Sequence, residues 1–105
     1  NSSGPVVRPC LGAVGNASAT YSAFLYANET LRLLAKHDPS TPLFVYLAWN
    51  NVHDPNEAPP EYVAKHPNIA NMPRRQLAGM MSALDDTLTA VIDGLKAKRM
   101  WDDTL

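Results

Sequence analysis

The longest hydrophobic stretch of the chain is a run of seven residues without a charge, Leu43–Trp49. The run is rich in aromatic and branched side chains, which predicts a β-strand that is buried on both faces. Strands of this kind occur in parallel sheets, and those sheets carry their functional groups in the loops after the strand's carboxyl end. His53 lies at that place, four residues after Trp49. We therefore expect a functional site in the loop after the strand.

Three helices are predicted, and the first and third of them carry apolar residues at helical spacing. The first is predicted from Thr20 to Lys36, with Ser18 or Thr20 as its cap and Asp38-Pro39 as its end. A short helix is predicted to begin at Pro60 and to reach Lys65. The longest helix is predicted to begin after Asn71, which is a suitable cap residue. Its predicted core positions are Leu77, Met80, Met81, Leu84, Leu88, Val91, Ile92 and Leu95.

The order of these elements predicts an α/β fold that is present only in part. It has one buried, parallel-type strand flanked by helices, and a buried strand needs hydrogen-bonded neighbours on both edges. No other segment is a good second strand, so we expect partners in the remainder of a parent chain or in neighbouring subunits. Residues 1–19, which contain several Gly and Pro, are predicted to be a loop or surface excursion.

Composition narrows the class of protein. The net charge is -1, with 46% hydrophobic and 18% charged residues, as in a globular domain. No basic patch indicates nucleic-acid binding, and no apolar run is long enough to span a membrane. The three histidines are not at the spacing of zinc ligands, and no metal-binding residue is predicted.

Three N-x-Ser/Thr sequons suggest a secretory origin. They begin at Asn1, Asn16 and Asn28, which are the candidate glycosylation sites. Asn28 falls inside the first predicted helix, so a glycan there requires the side chain to face solvent. The single cysteine, Cys10, would pair with something outside these residues in an oxidising compartment. A secreted, lysosomal or other luminal or extracellular location is therefore expected.

Several motifs in combination resemble the sulfatase family, closest to the arylsulfatase B type. The predicted strand is followed by His53-Asp54-Pro55 and then by Pro59-Pro60-Glu61-Tyr62. The Tyr21-Ser22 pair that opens the first helix and the stretch Ala78–Asp86 also resemble the family. Leu88-Thr89 departs from the family's usual Val-Gly. The resemblance covers most of the chain, and no single motif carries it.

The resemblance implies an alkaline-phosphatase-like fold and hydrolysis of a sulfate ester substrate. Residues 20–105 would be an internal segment of a sulfatase-type catalytic domain. The family's formylglycine arises from a C/S-x-P-x-R motif, but Cys10 is followed by Leu-Gly-Ala-Val. The family's calcium-binding Asp-Asn-Gly-Gly segment would follow Leu105. Calcium and formylglycine are thus implied for the full-length enzyme and neither is bound by this segment, which we do not expect to be active alone.

His53 is the one residue that the resemblance maps onto a family active-site position. It would contact the sulfate as a substrate-binding residue and act as the catalytic proton donor to the leaving oxygen, which suits an imidazole near neutral pH. The alternative is a loop histidine whose ring binds the backbone. Asp54 could orient His53, but Asp before Pro is also ordinary turn chemistry.

Two alternatives to a hydrolase segment remain open at this point. The chain could be a non-catalytic, sulfatase-derived structural or interaction module in a larger assembly, with its apolar surfaces as interfaces. A phosphatase or phosphodiesterase relative with the same type of fold is the weaker alternative. The nucleophile motif of the full-length sequence would distinguish all three.

Overall fold

A computed structural model describes residues 20–105 of the chain. This part contains three α-helices, α1 (Ser22–Lys36), α2 (Pro60–Ala64) and α3 (Met72–Ala97), and a 3₁₀ turn at Trp101–Asp103. Both α1 and α2 pack against α3. The long loop between α1 and α2 begins at His37, contains the apolar run 43–49 and ends at Pro59, beside the start of α2.

The predicted strand is wrong for the described part of the chain. Residues 43–49 belong to no β-ladder, and the described residues contain no strand at all. The side chains of Phe44 and Tyr46 are 89% and 85% exposed. The α/β fold class, with a buried strand in an alkaline-phosphatase-like fragment, is therefore corrected to an all-helical arrangement. An apolar run favours burial, but a strand also needs a paired neighbour, and residues 20–105 supply none.

The three helices lie close to their predicted positions. Helix α1 begins at Ser22 rather than Thr20 and ends at Lys36 as predicted. Its N-cap is Tyr21, which makes no side-chain capping bond, so the predicted Thr20 cap is wrong, while Ser18 lies outside the described residues. Helix α2 begins at Pro60, as expected from the fixed φ of proline in a first turn. It ends one residue before the predicted end.

The start of α3 is held by two side chains. The Asn71 Oδ1 accepts a hydrogen bond from the Arg74 backbone N–H at 3.0 Å, which confirms the predicted cap. Arg75 donates from Nε to the Ile69 carbonyl at 2.7 Å and from Nη2 to the Pro67 carbonyl at 3.0 Å. The guanidinium thus ties the connection between α2 and α3 to the first turn of α3.

The buried core is built mostly from small side chains at the contact of α3 with α1 and α2. On α3 the buried positions are Gly79, Met80, Ala83 and Thr87, and on α1 they are Ala23, Ala27, Thr30 and Leu34. The predicted core stripe is wrong at three positions, because Leu77, Met81 and Leu88 are 42%, 54% and 47% exposed. The two shorter helices cover the side of α3 that carries its buried positions, and the side chains of Leu77, Met81 and Leu88 remain exposed.

None of the helices in the described part of the chain has the length and apolar character needed to cross a membrane.

Candidate functional site

An open cavity of about 550 Å³ lies between the amino end of α1 and the loop that follows the apolar run. Tyr21 and Ser22 line it from α1, and Met80 lines it from α3. The loop contributes Trp49, Asn50, Asn51, His53, Asp54, Pro55 and Glu57. Two motifs that resemble the sulfatase pattern, the Tyr-Ser pair and the His-Asp-Pro triplet, therefore meet at one cavity.

His53 is exposed at this cavity, and its ring is oriented by a backbone contact. The Nδ1 atom lies 2.9 Å from the Asp54 carbonyl oxygen. A carbonyl oxygen can only accept, so Nδ1 carries a hydrogen and donates it. The Nε2 atom is then an acceptor in the neutral ring and a donor in the protonated ring. The carbonyl of Asp54 orients the ring, whereas its carboxylate has no part in this contact.

The side chain of Asn51 ties the loop to the start of α1. Its Nδ2 donates to the Tyr21 hydroxyl at 2.5 Å, and its Oδ1 accepts from the Ser22 hydroxyl at 3.4 Å. One residue earlier, the Asn50 Nδ2 donates to the Tyr26 hydroxyl at 3.1 Å. The loop is thus attached to α1 at two consecutive residues.

The hydroxyl of Tyr21 stays protonated at neutral pH. Burial raises the pKa of Tyr21 above its ordinary value, and the nearby Glu57 carboxylate acts in the same direction. The hydrogen bond from Asn51 opposes this shift, but burial is the larger effect. The ring is also fixed by packing on Phe24, with 5.5 Å between the ring centroids. A neutral phenol held in this way is a stable partner for the Asn51 amide.

Sequence reasoning did not find the pairing of Tyr21 with Asn51. Asn51 could be interpreted only as a loop amide or a residue lining a pocket, and the tyrosine only as the start of a helix. The two residues are 30 positions apart. The contact depends on how the loop folds back on α1, and no pattern in the sequence indicates that path.

The other two histidines lie away from the cavity. The His37 Nε2 lies 2.9 Å from the Thr41 carbonyl at the end of α1, and the His66 Nε2 lies 2.8 Å from the Ser82 hydroxyl. Within residues 20–105 no three His, Cys, Asp or Glu side chains converge on a possible metal site. Calcium and formylglycine remain expectations for the full-length enzyme.

Of the candidate modification sites, only Asn28 lies within the described residues 20–105. Asn1, Asn16 and Cys10 lie outside the described residues. Asn28 is exposed on α1, as a glycan would require, and the Thr30 hydroxyl of the same sequon donates to the Tyr26 carbonyl at 2.8 Å. Glycosylation at all three asparagines stays a prediction.

Comparisons with known proteins place the chain in a family. The sulfatase family model matches residues 6–105. Arylsulfatase J of Mus musculus is 36% identical over 85 residues, which cover 81% of this chain but 14% of the length of that relative. No solved structure matches the chain significantly. The match does not single out the arylsulfatase B type. Family model and relative agree, and the chain belongs to the sulfatase family.

Proposed function

We propose that the chain is an internal segment of a sulfatase-like hydrolase of sulfate esters, in which His53 contacts the sulfate group and protonates the leaving oxygen. Membership of the sulfatase family supports the reaction class. The observation that carries the role of His53 is its exposed position on the cavity, with Nδ1 occupied by the Asp54 carbonyl and Nε2 left for a ligand.

The chemistry required of His53 is a single proton transfer. When a sulfate ester is cleaved, the bond between sulfur and the alcohol oxygen breaks, and its electron pair stays on the oxygen. A protonated imidazole donates its Nε2 proton to that oxygen, while Nδ1–H remains on the Asp54 carbonyl. The ring is neutral after this step. Over the complete hydrolysis, water supplies the hydroxyl group that sulfur gains and the proton that returns to the imidazole. Before this step the charged ring also attracts the sulfate anion.

The reactive groups of the proposed enzyme belong to residues outside this segment. Cys10 lacks the formylglycine motif, and the described residues do not cluster as metal ligands. When present elsewhere in the full-length protein, formylglycine would supply the nucleophile and calcium would stabilise the anion. We expect the full-length protein to be secreted, lysosomal or luminal. Turnover of an aryl sulfate by the isolated 105 residues would contradict this division of roles.

The test is the His53→Ala substitution in the full-length protein. Loss of a general acid lowers kcat by roughly 10²–10⁴-fold. His37→Ala is the matched control, because His37 binds a backbone carbonyl at the other end of α1. The loss should shrink for aryl sulfates whose phenols are more acidic, since a good leaving group needs no proton. An unchanged kcat for every ester would remove His53 from the site.

A second candidate function has an observation of its own. The apolar side chains of Leu43, Phe44, Val45 and Tyr46 are exposed within the described part of the chain. A surface of this kind suits a structural or interaction module that docks in a larger assembly without catalysis. Phe44→Ser together with Tyr46→Ser would then weaken assembly, while His53→Ala would leave every measured property unchanged.

A further inference from the structure

We propose that Tyr21 is a positioning residue for His53, which it holds in place through the side chain of Asn51. This inference rests on the proposed function of His53. The hydroxyl of Tyr21 accepts from Asn51, and Asn51 lies two residues before His53 in the same loop. Tyr21 touches neither the sulfate nor the reacting oxygen in this proposal.

The contacts of His53 explain why its position needs outside support. Its ring contact is with the carbonyl of the next residue, so this contact orients the ring relative to the loop only. The position of the loop relative to α1 and the cavity is set by other residues. Asn50 provides one attachment, through the Tyr26 hydroxyl, and Asn51 provides the one nearer to His53, because both ends of its amide are bound by residues of the α1 start.

Tyr21 is the closer of the two partners that Asn51 has at the start of α1. The bond to its hydroxyl measures 2.5 Å, against 3.4 Å for the bond to Ser22. The Tyr21 ring packs on Phe24, whose ring lies 5.7 Å from that of Tyr62 on α2. These ring contacts anchor the hydroxyl to two helices. A rigid acceptor at this point limits how far the loop, and with it His53, can move in the cavity.

The experiment is a double-mutant cycle in the full-length protein, measured as kcat and KM for an aryl sulfate. Tyr21→Phe removes the hydroxyl and keeps the ring. A small misplacement of a catalytic group can cost up to about 100-fold, and we expect Tyr21→Phe to lower kcat by roughly tenfold with a smaller change in KM. In the His53→Ala background the same substitution should cause no further loss, because the residue it positions is gone.

Two further variants keep the test decisive. Asn51→Ala should lower kcat as much as Tyr21→Phe does, and the double variant should lose no more activity than either single variant. If Tyr21→Phe does not fold, Asn51→Ala takes its place in the cycle. Tyr62→Phe is the matched control, because it removes a tyrosine hydroxyl that binds Asp86 away from the cavity. We expect it to keep the wild-type kcat.

The outcomes separate this inference from the proposed function. An unchanged kcat in Tyr21→Phe, or a loss that repeats in full in the His53→Ala background, overturns the positioning role and leaves the role of His53 intact. An unchanged kcat in His53→Ala overturns the proposed function and this inference with it. A tenfold loss that disappears without His53 supports both.

Discussion

The Tyr62 hydroxyl donates a hydrogen bond of 2.8 Å to the Asp86 carboxylate, and so joins α2 to the middle of α3. The Lys65 ammonium binds the same carboxylate oxygen at 3.2 Å and lies 4.1 Å from the centre of the Tyr62 ring. Both Tyr62 and Asp86 belong to stretches that resemble the sulfatase pattern. Their contact fixes α2 against α3.

The Asp86 carboxylate should make stability depend on acid pH. Its pKa is lowered by the hydrogen bonds from Tyr62 and then from Lys65. Because folding lowers this pKa, the contribution of the carboxylate to stability is fully present above the ordinary aspartate pKa of about 3.9. It is lost as the pH falls through the lowered value. Asp86→Asn should therefore lower Tm at pH 7 and flatten the fall of Tm below pH 5.

The neighbouring acid provides the control for this prediction. Asp85 is exposed and points to another side of the helix, since adjacent helical residues do not share a face. Asp85→Asn should keep the wild-type dependence of Tm on pH. Equal Tm profiles for the two variants would show that the contacts of Asp86 contribute nothing to stability.

Gly79→Ala should destabilise the packing of α2 on α3. An added Cβ would lie 3.0 Å from the Val63 backbone nitrogen and 3.2 Å from both the Ala58 Cβ and the Tyr62 carbonyl carbon. Backbone atoms cannot move away cheaply, so we expect a loss of about 1–3 kcal/mol, partly offset by a gain in helix propensity of up to about 1 kcal/mol. Urea unfolding would measure the net decrease in the free energy of unfolding.

Gly94→Ala is the matched substitution on the same helix. Its added Cβ would meet the Leu31 Cδ2 at 2.5 Å, but that atom is the end of a flexible side chain that can rotate away. The free energy of unfolding should stay within about 1 kcal/mol of wild type, because helix propensity favours alanine. A larger loss at Gly94 than at Gly79 would contradict the close approach of α2.

Asn71→Ala should weaken the start of α3. The substitution removes the acceptor for the Arg74 N–H, and loss of an N-cap typically costs about 1 kcal/mol. Asn71→Asp should keep most of the stability, since its carboxylate accepts the same bond. Chemical unfolding of the wild type and of both variants would test this order of stability. Equal stability of the Ala and Asp variants would rule out a capping role.

Arg75→Met should loosen the connection between α2 and α3. It removes both guanidinium bonds, to the Ile69 and Pro67 carbonyls, while keeping most of the aliphatic side chain. We expect a loss of about 1 kcal/mol in the free energy of unfolding and faster amide hydrogen exchange in residues 66–70. Arg74→Met, at an exposed neighbouring position, should change neither quantity, and similar effects of the two substitutions would argue against the two carbonyl contacts.

Much of the local structure could be predicted from the sequence alone. The bounds of the three helices depend on nearby signals, such as Asn71 as a cap and Pro60 in a first turn, and these signals act over a few residues. The family also followed from motifs that are read along the chain, with His53 at their centre. These features do not require knowledge of what lies beside each element.

Contacts between distant segments were decided only by the tertiary structure. The apolar run 43–49 has the composition of a buried strand, yet pairing and burial depend on neighbours. Among the described residues the run pairs with no other segment, and only Leu47 and Trp49 are partly buried. The burial of Ala83 rather than Leu88 on α3 likewise depends on where α1 and α2 pack. The bond between Tyr21 and Asn51 joins residues that no local pattern relates. Propensity and capping energies are properties of a short segment, whereas burial and pairing are properties of two segments together, and only the folded chain brings them into contact.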